Sequence, residues 1–185
     1  QMTSMLRNGT FSKYMVIPVQ TQGYFVAMEA GKIAFSSGIG FLVTFLWVCL
    51  FRFPIVYTKN LKIVMCGSIM VVLGLLFMAL LNYFLGILTL KFEEISTFLM
   101  IKDNLSAVVT GAVIPLALLP EWVTTGMKMF PFYYVTYLPS MLFIGKCEEE
   151  AVTGIFVLSV WCVFFIILNQ VTYEHYRIKY DGAGI

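Results

Sequence analysis

Charge is what this chain has least of. Of its 185 residues only 12% are Asp, Glu, Lys or Arg, against about a quarter in soluble domains. A folded globule of this size covers only part of the surface its chain exposes, so it could not hide a composition that is 60% apolar. That excludes a water-soluble enzyme. A net charge of +2 and the lack of any basic run exclude nucleic acid as a partner, and so high an apolar content excludes disorder. The single histidine, His175, cannot build a histidine metal cluster. Cys49, Cys66, Cys147 and Cys162 include no C-x-x-C pair and read as small apolar residues. The phosphate loop G-x-x-x-x-G-K-S/T is missing too.

What is present is hydrocarbon-loving sequence, with a mean hydropathy of +0.89. A helix needs about 20 apolar residues to cross a core about 30 Å thick. Four runs meet or approach that length: 33–51, 63–90, 104–120 and 151–173. The second is long enough to require tilt, and the third is short and contains Pro115. Backbone groups in lipid must bond within their own segment, and the alternation of a barrel strand is absent, so each run is expected to be helical. No Asp, Glu, Lys or Arg stands in the middle of a run, which argues against a proton pump built on buried carboxylates.

Residues 121–145 form a different kind of element. Pro131 and Pro139 are expected to interrupt any straight helix. The aromatics between them, Phe132, Tyr133, Tyr134 and Tyr137, suit the membrane–water boundary. The segment reads as interfacial or re-entrant, with a fifth crossing as the alternative. Four crossings put both termini on one side. That side carries Arg7, Lys13, Lys32, Lys91, Lys102, Arg177 and Lys179, seven cations against five on the other, which makes it cytoplasmic.

Polar and small residues mark where helices could meet. Asn82, Asn169 and Gln170 carry amides that lipid cannot satisfy, so each is expected against another helix or lining a pathway. Ala30, Ala34 and Gly38 recur every four residues, as do Ala107 and Gly111, a spacing that lets backbones approach in a helix seam. In the polar front, Phe11, Tyr14 and Met15 form an apolar stripe at helical spacing, with Arg7 and Lys13 beside it and a turn at Asn8-Gly9. Such a stripe fits either a groove in a partner or anionic lipid headgroups. Glu93, Glu94, Lys102 and Asp103 read as a solvated loop, and Glu148, Glu149 and Glu150 as a solvated acidic run on the far side.

The order of segments then becomes specific. Ile114-Pro115-Leu116-Ala117-Leu118-Leu119-Pro120-Glu121-Trp122 closes one span. Phe130-Pro131-Phe132, Tyr137-Leu138-Pro139 and Gly145-Lys146 follow, then a last span and the Gly-rich end Lys179-Tyr180-Asp181-Gly182-Ala183-Gly184. At the front, Arg7, Gly9 and Pro18 lie within Met5–Val19. This order resembles the permease subunit of type-2 ABC transporters, exporter class, over nearly the whole chain.

The resemblance implies an all-α integral membrane protein of the plasma membrane with both termini cytoplasmic. It implies four transmembrane helices, an amphipathic cytoplasmic segment at 1–32, a Pro- and aromatic-rich outer element and a cytoplasmic tail at 174–185. Such permeases usually carry six spans, so two N-terminal helices are expected ahead of Gln1. The resemblance favours ATPase docking through Arg7, Asn8, Gly9, Phe11, Lys13, Tyr14 and Met15. It implies a pathway or helix seam through Asn82, Asn169, Gln170, Gly38 and Gly111, and an outer re-entrant element at Pro115, Pro120, Trp122, Pro131, Tyr134 and Pro139. ATP and magnesium would sit on a separate ABC ATPase subunit, leaving the permease with no cofactor of its own and no catalytic role. Its other partners would be a second permease, identical or sister, the lipid bilayer and an exported cargo. A non-transporting scaffold or immunity-type membrane protein is the alternative reading, and an intramembrane enzyme a more distant one.

Overall fold

The structure is a computed structural model that describes residues 21–51, 57–88, 96–109 and 118–177. Its elements are α1 (Thr21–Phe51), α2 (Leu61–Leu88), α3 (Ser96–Val109), α4 (Glu121–Met127), a π-helical turn (Tyr133–Tyr137), α5 (Leu138–Phe143), a 3-10 turn (Glu148–Glu150) and α6 (Ala151–Arg177). Every regular element among the described residues is helical.

Three of these helices are long and apolar enough to cross a membrane: Gln22–Phe51 within α1, Leu61–Leu88, and Glu148–Tyr176, which takes in the 3-10 turn and most of α6. The fourth run expected, 104–120, is described only at 104–109 and 118–120. Two boundaries shift relative to the sequence reading. α1 begins at Thr21, well before Ile33, because no proline or turn pair interrupts Thr21–Lys32. α3 begins at Ser96, so Lys102 and Asp103 lie on a helix rather than in a loop. There Lys102 is satisfied: its Nζ donates to Asn82 Oδ1 at 3.1 Å and pairs with Asp103 at 2.8 Å.

α2 is entered through an Asn cap. Asn60 Oδ1 accepts from the Lys62 N–H at 3.2 Å, and the Asn60 carbonyl takes the N–H groups of Ile63 and Val64. This satisfies donors that the first turn of a helix would otherwise leave open. α6 is entered through Glu148–Glu150, which puts negative charge at a helix N-terminus, where the backbone dipoles favour it.

α2 and α6 form the spine of the molecule. Cys162 Sγ lies 3.7 Å from the Leu73 carbonyl, and Asn169 Nδ2 donates to the Leu80 carbonyl at 3.1 Å. Both pairs are separated by 89 residues, so the two helices run in the same direction with a fixed register. Between them Phe77 and Phe165 meet edge to face at 5.5 Å, and Phe84 meets Phe165 at 5.8 Å. Met70, Leu80, Leu158 and Cys162 fill the same core. In lipid the gain here comes from close packing and interhelical bonds, because burying an apolar face against protein or against acyl chains costs nearly the same.

Candidate functional site

Segment 128–143 is wedged into the spine, and its path follows from three anchors. Near its start, Lys128 pairs with Glu150 at 2.5 Å, beside the first turn of α6. Further along, Phe132 meets Phe77 edge to face at 5.9 Å. Phe77 lies sixteen residues into α2, or about 24 Å at 1.5 Å per residue. At its end, the Phe143 carbonyl accepts from the Thr58 N–H at 2.8 Å, just ahead of α2. The segment therefore dips along the spine and returns to the end at which it entered.

The prolines do not break this path, as the sequence suggested they would; helix runs from Pro131 to Phe143 with a π-helical turn in its middle. Pro139 explains the turn. It has no N–H for the Val135 carbonyl and its ring would crowd that oxygen in an α-helix, so the backbone widens instead. The freed Val135 carbonyl faces α2 at Gly74, where a Cβ would lie 3.3 Å from it. Glycine lets the wedge's backbone lie directly on the helix. A second seat is Gly154 on α6, where a Cβ would lie 2.7 Å from both Leu138 Cδ2 and Met70 Cε.

The aromatics of the wedge also depart from expectation. Phe132, Tyr133 and Tyr134 are buried against the spine instead of standing half wet at a boundary. Tyr133 keeps a polar partner by donating its hydroxyl to Glu150 Oε2 at 3.1 Å. Glu150 thus holds Lys128 with one oxygen and Tyr133 with the other, and the Lys128 ammonium lies 5.6 Å from the centre of the Tyr133 ring. The hydrogen bond to Glu150 pushes the Lys128 pKa up, against a smaller lowering by burial. The return to α6 is a tight turn with Gly145 at φ 76° and Cys147 at φ 56°. The second is uncommon for a residue with a side chain.

The other expected residues fall as follows. Pro131, Tyr134 and Pro139 lie buried in the wedge. Pro120 precedes α4 without a side-chain cap, and Trp122 projects from α4 with its ring exposed. Asn82 and Asn169 both bond between helices, and Gln170 is exposed. Gly38 meets nothing within 4 Å. Arg7, Asn8, Gly9, Phe11, Lys13, Tyr14, Met15, Gly111 and Pro115 lie outside the described residues. His175 is exposed near the end of α6, its ring edge-on to Tyr176 at 5.3 Å. Among the described residues no three His, Cys, Asp or Glu side chains gather as a metal site.

Sequence reasoning missed Lys128, Glu150, Gly74 and Gly154. Glu150 was hidden in a run of three glutamates, of which Glu148 and Glu149 are indeed exposed. Gly154 did leave a signal, as the one glycine in the last apolar run.

Long apolar helices, polar groups bonded from helix to helix and a wedge folded back between two spans define a multi-pass helical membrane protein. A family model described as ABC-2 family transporter protein matches residues 1–184, and the chain belongs to that family. Its place there is that of the membrane component of a transporter, a permease. No curated protein and no solved structure gives a significant match.

Proposed function

We propose that the chain is the membrane half of an ATP-driven exporter, forming one side of the translocation pathway and docking a separate ATPase through residues 1–20. The observation that carries this reading is the family match over nearly the whole chain. Two features of the fold support its details. Parallel α2 and α6 require the chain between Leu88 and Ala151 to come back across the layer an odd number of times. The wedge enters and leaves at one end and contributes none of these crossings, which leaves a single return through the run at 104–120 and favours four spans.

In this reading the wedge lies on the outer side, both termini are cytoplasmic, and a second permease completes the passage. ATP binding to the partner drives the change of access, because a ligand shifts an equilibrium only by its difference in affinity for the two states. Arg7, Phe11, Tyr14 and Met15 present the apolar, basic-flanked surface that the ATPase grips.

The test is co-purification of the full chain with its ATPase from detergent. Wild type should recruit the ATPase, and the double change Phe11→Glu, Tyr14→Glu should lose it while the permease stays in the membrane. A wild-type protein that never recruits an ATPase would leave the scaffold reading in its place.

A further inference from the structure

Two polar atoms in the α2–α6 seam have no hydrogen-bonding partner in the protein: the Tyr83 hydroxyl and Asn169 Oδ1. Their residues are 1% and 0% exposed, among the most deeply buried of the described side chains. Neither lipid nor bulk water reaches them, and burying such a group unbonded is costly.

The chemistry of Asn169 fixes its orientation. Nδ2 faces the Leu80 carbonyl at 3.1 Å, and reversing the amide would set two acceptors against each other, so Oδ1 is the free end. The register places Tyr83 beside it. Asn169 lies opposite Leu80, and Tyr83 is three residues further along α2, on the same face. Helical side chains slope back towards the N-terminus, which returns the long Tyr83 side chain to the level of Leu80 and Asn169. The Phe25 ring, stacked on Tyr83 at 6.2 Å, closes the third side. The result is a dry-walled spot with one donor and one acceptor left open.

We propose that a single water molecule is bound here, accepting from the Tyr83 hydroxyl and donating to Asn169 Oδ1. Water suits the site on three grounds: it can accept and donate at once, it is small enough for a packed seam, and it is neutral where no charged side chain stands nearby to balance an ion. The bound water makes this inner part of the seam a bridged joint, in contrast to the direct ring packing around Phe77 and Phe165.

The sign of one substitution tests this. Tyr83→Phe removes only the hydroxyl. If the hydroxyl holds a water, the full chain bound to its ATPase in lipid nanodiscs melts lower by about 2–4 °C, the shift expected for one hydrogen bond lost in a chain of this size. If the hydroxyl is dry and unbonded, the same change relieves a buried polar group and the melting temperature rises, which overturns the proposal. Cryo-EM density of the wild-type complex supplies the second measurement. A peak within hydrogen-bond distance of both atoms is the expected result. Direct contact between the Tyr83 hydroxyl and Asn169 Oδ1, with nothing between them, also overturns it.

Discussion

α1 and α2 are both long, apolar and almost uncharged, yet they live in different surroundings. A third of α2's most apolar stretch is buried within the chain, and none of α1's is. α1 touches the spine only near its start, where Phe25 stacks on Tyr83 and Gln22 Nε2 donates to the Ile166 carbonyl at 3.3 Å. From Ala34 to Trp47 every residue is exposed. Apolar composition therefore decides the solvent and not the partner. What sets α2 apart is a glycine that seats a neighbour's backbone, carbonyls that accept from α6, and an amide that takes a lysine from α3. α1 has glycines too, but nothing in the chain lies against them.

The sharpest way to break the contrast is to hollow the spine. Phe77→Ala removes a ring packed on both Phe132 and Phe165, and about 3 kcal/mol of stability should go with it, read by denaturant unfolding in detergent. Phe35→Ala on the bare part of α1 should change little in the same assay, and an equal loss at both positions would erase the distinction.

Next in size is overfilling. Gly154→Leu forces a side chain into Leu138 and Met70 and should cost about 1–3 kcal/mol. Because the wedge must shift to make room, Cys162 should react faster with a small maleimide. Gly38→Leu is the control on α1, and the stability of the isolated chain should move by no more than about 0.5 kcal/mol. If that change instead abolishes cross-linking between permeases, α1 is the helix that faces the second copy.

The smallest expected effect is at the outer end. Lys128 and Glu150 are 40% and 31% exposed, and a pair so open to solvent contributes about 0–1 kcal/mol. Lys128→Met should therefore barely shift the melting curve. Glu150→Gln should cost somewhat more, because it weakens the bonds to Lys128 and Tyr133 together. A scan comparing the two variants with the Lys128→Glu, Glu150→Lys exchange would show whether charge or hydrogen bonding dominates.

Much of this organisation was legible before any coordinates. Hydropathy located the long helices, and the shortage of charge fixed their solvent. The proline-aromatic segment stood out as something other than a plain span. Three features were not legible, each for a physical reason. The register of α2 on α6 depends on which face of a uniformly apolar helix turns inward, and Leu73 and Leu80 look like any other leucine in the run. Gly74 and Gly38 are the same residue in similar sequence, and only a neighbour distinguishes a seat from an open face. Glu150 differs from Glu148 and Glu149 by where Lys128 and Tyr133 arrive from more than a dozen residues upstream.

The widened turn at Tyr133–Tyr137 has a consequence for how the wedge tolerates change in length. It houses one residue more than an ordinary coil of helix would. Deleting a single position there, such as Thr136, would let the strand of backbone wind normally and swing everything after it by about a third of a revolution. Leu138 and Leu142, now aimed at the spine, would point elsewhere, although no buried side chain had been altered. The spare residue is thus a phase setting for the whole outer segment.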